Sequence, residues 1–353
     1  MRVLMITQKL DPYDPLLGFT VRWAQELAAR VDHLEVLTLE APPPELLRTL
    51  PANIHTHSMG KDEGVGRLGM SRAFYQNLRQ IKADVIFSHM VPRYAWMAAP
   101  LALIRRTPQV LWYTHPAASW ELKLALGLVN RVVTAVPESF PLSSRKVQAV
   151  GHGIDGDFFA PDDKTLLDTP PLIVHAARLM PVKHQHVVIK ALAQITNLEW
   201  QMSFVGDVPS GESREYADSL RDMVEDHRLS SRVIFAGAIP QTALRDFYRR
   251  ATAAINISPA GFFDKAALES MLMGIPTLVG TSAFDPLLGD YRALCRVDPS
   301  DSPSALAARL RELLNLQSSD REALGALLRK RTLEAHGLSR LMDRLVAIFK
   351  ELQ

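Results

Sequence analysis

The sequence has little that would mark a secreted, thiolate-metal or membrane-spanning protein. Cys295 is the only cysteine among 353 residues, so the chain can form neither an internal disulfide nor a thiolate cluster. No apolar run reaches the ~18–20 residues that a membrane-spanning helix needs. The apolar run at the amino terminus is also too short for a secretory signal. We therefore expect a cytoplasmic protein, with peripheral contact at the inner face of the membrane as the alternative.

Net charge is nearly absent as well. Lys and Arg number 40 against 38 Asp and Glu, which leaves a formal charge of +2. This balance argues against bulk electrostatic binding to nucleic acid, so we expect no nucleic-acid partner. The chain is 47% hydrophobic, as globular proteins are, and its length predicts two domains.

Strand-like and helix-like patterns alternate along almost the whole chain, as in α/β proteins with parallel sheets. Amphipathic segments such as Val21–Arg30 separate short β-branched runs. The predicted strands are Arg2–Thr7, Leu34–Leu39, Ile54–Ser58, Val85–Ser88, Val110–Tyr113, Arg131–Thr134, Val147–Val150, Leu172–Ala176, Met202–Val205, Val233–Ala236, Ala253–Ile257 and Thr277–Val279. Gly151–Pro171, rich in Gly, Pro and Asp, interrupts the pattern and is typical of a linker. The sequence therefore predicts two doubly wound domains.

The loop after the first predicted strand ends at Gly18, just before a helix. A glycine there lets the backbone approach an anionic group at the helix N-terminus, although it is also common without a ligand. The fingerprint G-x-G-x-x-G is absent, which counts against a dehydrogenase.

Two cations follow the strand Leu172–Ala176. Arg178 and Lys183 flank a turn that contains Pro181, so both can face the crevice beyond the strand ends. A guanidinium fork and a point charge suit a diphosphate, while two solvated surface cations are the alternative.

A turn-rich loop after Ile257 leads into a predicted helix at Asp264–Met273, whose exposed backbone amides would suit phosphate oxygens. Glu269 lies in an otherwise apolar stretch of this helix and needs a partner, which could be a ribose hydroxyl pair or an arginine. Asp264 has the competing interpretation of a helix N-cap.

These segments resemble, in order, the retaining glycosyltransferases of family 4, the group 1 glycosyltransferases. The matching segments are GHGIDGDFFAP, AARLMPVKHQHVVIKAL, FVGDVP, VIFAGAIP and LESMLMGIPTLV. The resemblance covers the whole chain and implies the GT-B fold, in which two Rossmann-like parallel-sheet domains face each other across a cleft. Residues 1–155 would form the acceptor-side domain, with the helix at 338–353 packing back on it. Residues 156–337 would bind a nucleotide-sugar donor.

The resemblance also implies roles for individual residues. The catalytic residues would be Arg178 and Lys183, which neutralise the donor diphosphate, and His115, which contacts the transferred sugar. The donor-binding residues would be Gly18, Gly237, Ala238, Ile239, Asp264, Lys265, Ala266 and Glu269. Of these, Glu269 would hold the ribose and residues 237–239 would receive the base. A packing or helix-start histidine is the alternative for His115.

The loop before Asp264 departs from the family, which often has a glutamate where this chain has Gly261 and a G-F-G turn where it has Phe262–Lys265. This departure leaves the donor sugar open. His152 and His184 also replace the usual Asn and Gly.

The implied activity is that of a hexosyltransferase in polysaccharide or glycolipid biosynthesis. It would move a sugar from a UDP or GDP sugar to an acceptor with retention, using neither metal nor cofactor. The alternatives are a catalytically silent sugar-nucleotide-binding homologue, a partner subunit and an epimerase of the same fold. Metal sites at His55–His57, His184–His186 and Asp155–Asp157 are not expected, because the spacing or position is unsuitable.

A basic helical segment has two interpretations. Arg67, Arg72, Arg79 and Lys82 lie among Leu68, Met70, Phe74 and Tyr75. The segment is either an ordinary solvated helix face or a membrane-surface patch that serves a lipid-linked acceptor.

Overall fold

The computed structural model describes residues 1–14, 16–161, 169–209, 211, 213–298 and 302–353. These residues form two compact units. The first contains Met1–Asp155 and His336–Gln353, and the second contains Gly156–Ala335. Part of the predicted linker, residues 162–168, lies outside the described residues.

The first unit is an α/β unit with a parallel sheet. Its elements are β1 (Arg2–Ile6), α1 (Phe19–Ala28), β2 (His33–Thr38), α2 (Pro44–Leu47), β3 (Ile54–Ser58), α3 (Arg67–Gln80), β4 (Val85–His89), α4 (Pro92–Arg105), β5 (Gln109–Trp112), α5 (Trp120–Leu128), β6 (Arg131–Thr134) and β7 (Val147–Ala149). The strand order is β3-β2-β1-β4-β5-β6-β7. Strands β2 and β3 therefore lie on one side of β1 and strands β4 to β7 on the other, and we call the place between β1 and β4 the reversal point of this sheet. Four of the five β1 side chains are buried, as expected for a strand covered on both faces.

The second unit repeats this architecture with a smaller parallel sheet. Its elements are β8 (Leu172–Ala176), α6 (Gln185–Leu192), β9 (Gln201–Val205), α7 (Glu215–Asp226), β10 (Val233–Gly237), α8 (Gln241–Arg250), β11 (Ala251–Asn256), α9 (Lys265–Leu272), β12 (Thr277–Val279), α10 (Asp285–Leu288), α11 (Arg292–Cys295), α12 (Pro303–Leu314) and α13 (Ser318–His336). In the strand order β10-β9-β8-β11-β12, β9 and β10 lie on one side of β8 and β11 and β12 on the other, so the reversal point of this sheet is between β8 and β11. The expected class, two doubly wound parallel-sheet domains, is confirmed.

The chain returns to the first unit at its last helix, α14 (Leu338–Glu351). Ile154 and Gly337 form a parallel bridge, and the Leu338 amide donates to the Ile154 carbonyl at 2.8 Å. Arg30 Nε, just beyond α1, donates to Asp343 Oδ1 at 2.8 Å. The first unit is therefore built from two separate stretches of sequence.

Within the described part of the chain, no helix has both the length and the apolar character needed to span a bilayer.

Candidate functional site

The reversal point of the second sheet brings two predicted site loops together. β8 pairs with β11, so the loop after β8 lies beside the loop after β11 at the carboxyl edge of the sheet. Open α/β sheets bind ligands at such points, because successive connections leave on opposite faces and open a crevice. Residues 178–183 follow β8, and residues 257–264 follow β11.

A buried cluster of three side chains joins these loops. Lys183 Nζ lies 2.6 Å from Asp264 Oδ1 and 3.0 Å from Ser258 Oγ, and donates to both. Ser258 Oγ donates in turn to Asp264 Oδ2. Lys183 is only 7% exposed, so its charge depends on these partners rather than on water. We refer to Lys183, Asp264 and Ser258 as the lysine cluster.

The cluster corrects one interpretation from the sequence. Asp264 occupies the residue before α9 but makes no side-chain hydrogen bond to the helix. Its carboxylate binds Lys183 and Ser258 instead, so the N-cap interpretation is wrong. A cationic partner satisfies the carboxylate better than a single backbone amide does, because hydrogen bonds between ionised groups are the stronger kind.

Aromatic rings line the same loop. Lys183 Nζ lies 5.0 Å from the centre of the Phe262 ring, within the range of a cation–π contact. The next ring, Phe263, stacks on Phe284 at 4.2 Å between centroids. Gly261 has a φ of +88°, a conformation that glycine adopts without strain.

A neutral histidine lies beneath the cluster. His175 on β8 is 1% exposed, and among the described residues neither ring nitrogen has a hydrogen-bond partner. Burial, with a smaller contribution from the positive charge of Lys183, lowers the pKa of His175 to about 3. The ring is therefore uncharged at neutral pH and adds no positive charge to that of Lys183.

Arg178 has a different environment from Lys183, although only four residues separate them. Its side chain is exposed and makes no ion pair with the described residues. Its backbone carbonyl accepts a 2.8 Å hydrogen bond from Gln185 Nε2, which fixes the turn rather than the guanidinium. Arg178 remains able to rotate towards an anion, whereas Lys183 is held in place.

Glu269 is buried, as the sequence pattern predicted, and its partners are within the protein. The residue is 4% exposed, and its Oε1 lies 3.2 Å from Lys265 Nζ. Gln241 Nε2 donates to the same oxygen at 3.4 Å. Lys265, expected near the diphosphate or sugar, thus contacts the carboxylate one turn along α9.

The end of β10 carries the residues predicted to receive a base. Gly237 has a φ of +71°, and a Cβ added there would meet nothing within 4 Å. Ala238 is exposed and Ile239 is half-buried. The Gly206 amide donates to the Gly237 carbonyl at 2.8 Å, so the ends of β9 and β10 are tied together. The space beside Gly237 is open to a ligand.

Sequence reasoning missed two residues of this region. Ser258 was not singled out, because a serine after a strand has no distinctive pattern. Gly206 was read only as part of the segment FVGDVP. A Cβ on Gly206 would lie 2.1 Å from the Ala177 carbonyl oxygen, so only glycine allows this approach. The adjacency of β8 and β9 in the sheet is the signal that could have revealed Gly206.

Ala266 contributes its backbone near the start of α9. Its carbonyl accepts a 3.1 Å hydrogen bond from the Tyr248 hydroxyl. Burial raises the pKa of Tyr248 well above its usual value, so the hydroxyl remains a donor.

In the first unit, Gly18 precedes α1 as expected, but a further reason requires a glycine there. A Cβ on Gly18 would lie 2.7 Å from the Asp14 carbonyl oxygen and 2.9 Å from that of Pro12. The same Asp14 carbonyl accepts a 2.9 Å hydrogen bond from the Gly18 amide. Close packing of the loop on itself therefore excludes a side chain at this position.

His115 lies in the loop after β5 and is exposed. Its Nδ1 accepts a 3.1 Å hydrogen bond from the Ala117 amide, which places the proton of the neutral ring on Nε2. Its ring packs edge-on against Tyr113 at 6.4 Å. His115 thus lies at the carboxyl edge of the first sheet, with its ring held by Ala117 and Tyr113.

Beside β1, β2 and β3 the same edge holds a polar groove of about 290 Å³. Lys9 bridges Asp14 and Glu40 at 3.3 and 3.2 Å, and the groove continues to Asp62. The hydrogen bond to Glu40 raises the pKa of Lys9, although partial burial opposes the shift. This groove has the acidic and basic groups that bind hydroxyl-rich molecules.

Among the described residues, no group of three or more His, Cys, Asp or Glu side chains could hold a metal ion. The residues considered from sequence have other partners. His57 Nε2 lies 2.7 Å from Glu35 Oε2, His186 Nδ1 lies 3.0 Å from the Tyr216 hydroxyl, and Asp155 Oδ2 lies 3.2 Å from Arg22 Nε.

Comparison with known proteins associates this geometry with one family. Residues 158–331 match the family model described as glycosyl transferases, group 1. This match covers nearly all of the second unit.

Curated relatives are similar over part of their length. The D-inositol 3-phosphate glycosyltransferase of Acidothermus cellulolyticus is 28% identical over 146 residues, 38% of this chain and 32% of the relative. A D-inositol 3-phosphate glycosyltransferase of Catenulispora acidiphila is 26% identical over 227 residues, 58% of this chain and 51% of the relative. The chain thus spans about a third to a half of the length of these relatives.

Solved structures share the fold over the whole chain. Anabaena HepE in complex with UDP and glucose has a TM-score of 0.77 at 16% identity, covering 99% of both chains. The sucrose-phosphate synthase of Thermosynechococcus elongatus has a TM-score of 0.77 at 17% identity, covering 99% of this chain and 98% of that one. At such identities the likeness shows the fold alone.

Proposed function

Because residues 158–331 match the family model of the group 1 glycosyl transferases, we propose that this chain transfers a sugar from a UDP or GDP sugar to an acceptor. The observation that carries this proposal is the lysine cluster, which holds a cation at the reversal point of the second sheet. The relatives' names and the nucleotide in the HepE complex support it.

Arg178 and Lys183 stabilise the leaving diphosphate in this proposal. Negative charge on the leaving group grows towards the transition state, so fixed positive groups lower the barrier. Asp264 and Ser258 keep the Lys183 ammonium in one position, which avoids reorganisation during the reaction. Arg178, with an exposed side chain, closes on the diphosphate when the donor arrives.

The proposal also assigns residues of the second unit to the ribose, the base and the phosphates of the donor. Glu269 binds the ribose hydroxyls, with Lys265 and Gln241 holding its carboxylate in place before the donor enters. The backbone at Gly237, Ala238 and Ile239 receives the base, beside the open space at Gly237. The backbone amides at Ala266 and Lys265 face the phosphates.

In the first unit, we assign Gly18 to the phosphate side and His115 to the transferred sugar. The Nε2–H of His115 can donate to a sugar hydroxyl, because Nδ1 already accepts from Ala117. The polar groove at Lys9 and Glu40 is the proposed place for the hydroxyl groups of the acceptor.

The proposed reaction retains the anomeric configuration, with the acceptor attacking the face from which the nucleotide leaves. It requires no metal, because Arg178 and Lys183 supply the positive charge that a divalent cation would otherwise bring to the diphosphate. We place the reaction in the cytoplasm, with a lipid-linked acceptor at the inner face of the membrane.

The test is a panel of UDP and GDP sugars, incubated with the purified chain and with Lys183→Ala. We expect nucleotide release from one donor, and a loss of release of about 10²–10³ in the variant. Binding of a nucleotide sugar without release, even with acceptors supplied, would instead identify a silent homologue, the alternative favoured by Gly261. Conversion of the donor sugar with no acceptor present would identify an epimerase.

A further inference from the structure

The helices α3, α4 and α5 of the first unit carry most of the exposed large apolar side chains. Within the described residues nine such side chains are exposed, and five of them belong to this helical layer. These five are Leu68, Leu103, Ile104, Trp120 and Leu124. Leu68 is 90% exposed and Ile104 is 80% exposed, so they are not the margins of a core. An apolar surface of this kind indicates an interaction site.

The apolar side chains of α4 and α5 form one continuous face. On α4, Trp96, Pro100 and Leu103 are three to four residues apart and share a side of the helix. Buried residues on the other side of α4 pack into a core cluster with strand residues of the sheet. The Trp96 ring lies 6.2 Å from that of Trp120 at the start of α5, which joins the two helices at their surface.

Positive charge is concentrated in the same layer. Residues 67–128 contain eight Lys and Arg but only two acidic residues, although the whole chain is almost balanced. The basic residues are Arg67, Arg72, Arg79, Lys82, Arg93, Arg105, Arg106 and Lys123. Of the two acids, Glu121 is paired with Arg93 at 2.6 Å, and Asp84 accepts from the Arg2 amide at 2.7 Å. The layer therefore combines exposed apolar groups with an excess of positive charge.

We propose that this α3–α4–α5 surface docks on the anionic face of a lipid bilayer. Basic side chains are attracted to anionic headgroups, while Trp and aliphatic side chains enter the boundary between headgroups and acyl chains. The docking needs no sugar transfer and so does not rest on the proposed function. It follows the membrane-surface interpretation of the basic segment around α3 and extends it to α4 and α5.

Two other partners fit this surface less well. A second copy of the chain would bring like charges together, which is unfavourable across an interface. A nucleic acid would match the charge but would leave Leu103, Ile104 and Trp120 without an apolar environment. Charge and apolar exposure together favour the bilayer.

The test is flotation of the purified chain with vesicles of phosphatidylcholine alone or mixed with phosphatidylglycerol. We expect the chain to float only with the mixed vesicles, and salt to weaken this binding. The double variant Leu103→Glu/Ile104→Glu should lose at least about tenfold in binding, because it places acids against the anionic surface. Leu47→Glu is the matched control, since Leu47 is exposed in the same unit but lies on α2.

A second variant guards against a folding defect in the first. Arg72→Gln/Lys82→Gln changes only exposed side chains and should weaken binding about fivefold for each charge removed. Arg105 is left unchanged because it donates to the carbonyls of Leu78 and Ile81. Thermal unfolding and nucleotide release without vesicles should stay normal in both variants.

Three results would overturn the proposal. They are equal binding to neutral vesicles, equal loss of binding in Leu47→Glu, and self-association of the chain that the glutamate variant abolishes. A chain that docks but releases no nucleotide would leave the surface intact and contradict only the proposed transfer.

Discussion

In both sheets the strand order changes side at one point, yet the side chains at these two reversal points make different kinds of contact. Between β8 and β11, Lys183 binds Asp264 and Ser258. Between β1 and β4, Thr7 Oγ1 and His89 Nδ1 lie 3.1 Å apart, and the His89 ring packs against Trp23 at 5.1 Å. One topology therefore supports an ion pair at the reversal point of the second unit and a threonine–histidine contact among aromatic rings at that of the first.

The topology of the sheet therefore sets where a site can lie, and the side chains there determine its chemistry. An ion pair enclosed by protein holds its cation firmly, because the low local polarity strengthens the attraction. A threonine–histidine contact among aromatic rings stabilises the fold. Substitutions in the two regions should therefore have unequal effects.

The largest expected effect is that of Lys183→Ala on turnover. Nucleotide release should fall by about 10²–10³, while donor binding weakens less, because the charge on the diphosphate grows towards the transition state. Arg178→Ala should act in the same direction. Steady-state kinetics with Lys190→Ala, an exposed lysine on α6, provides the control. Near-normal turnover in Lys183→Ala would show that the cluster is structural only.

Asp264→Asn should have the next largest effect. It removes the negative charge that compensates buried Lys183, and the free energy of unfolding should fall by about 1.5–3 kcal/mol, the value of a hydrogen bond to a charged group. Turnover should fall as well, because the ammonium is no longer held. Asp218→Asn breaks an exposed pair with Arg221 and should change little in chemical denaturation. Equal losses in the two variants would contradict the special role of burial.

His175 makes the stability of the second unit depend on pH. Its pKa falls from 6.5 to about 3 on folding, so the unfolded chain binds the extra proton between these values. Stability is therefore complete above about pH 6.5 and is lost as pH falls towards 3, by about 2 kcal/mol at pH 5. His175→Phe should flatten this part of the stability profile, measured by denaturation at several pH values. An unchanged slope, or the same flattening in His55→Phe at an exposed site, would refute the assignment.

Glu269→Gln should weaken nucleotide binding about tenfold, because the ribose hydroxyls lose a charged acceptor. Calorimetry with UDP and GDP measures this, with Glu225→Gln on the exposed side of α7 as the control. Unchanged affinity for both nucleotides would remove Glu269 from the ribose site.

The smallest expected effect is that of Thr7→Val at the reversal point of the first unit. Valine keeps the shape of threonine and loses one hydrogen bond to His89, so the free energy of unfolding should fall by about 1 kcal/mol. Turnover should remain within a few-fold of the original. A turnover loss as large as that of Lys183→Ala would abolish the distinction between the two reversal points.

Much of the fold could be predicted because the local patterns are strong. Arg131–Thr134 and Leu172–Ala176 are strands with the predicted bounds, and α1 begins two residues before its predicted start. Short apolar runs between turn residues leave few other arrangements. The pairing of Lys265 with Glu269 was also visible in principle, since Glu269 is the fourth residue after Lys265 on one helix.

The lysine cluster could not be predicted in the same way. Lys183 and Asp264 are 81 residues apart, and only the pairing of β8 with β11 brings their loops together. Sequence reasoning therefore weighed a donor-binding role against a helix N-cap for Asp264, and it did not pair Asp264 with Lys183. Long-range partners of this kind become visible only when the strand order is known.

The bridge between Ile154 and Gly337 has a consequence for biosynthesis. The first unit needs α14, which the ribosome makes after all of the second unit. The usual order, in which the amino-terminal domain is finished first, is therefore reversed, and the second unit can fold while the first still lacks a helix. A premature stop before Leu338 would spare the sequence of the second unit and leave the first without its closing helix.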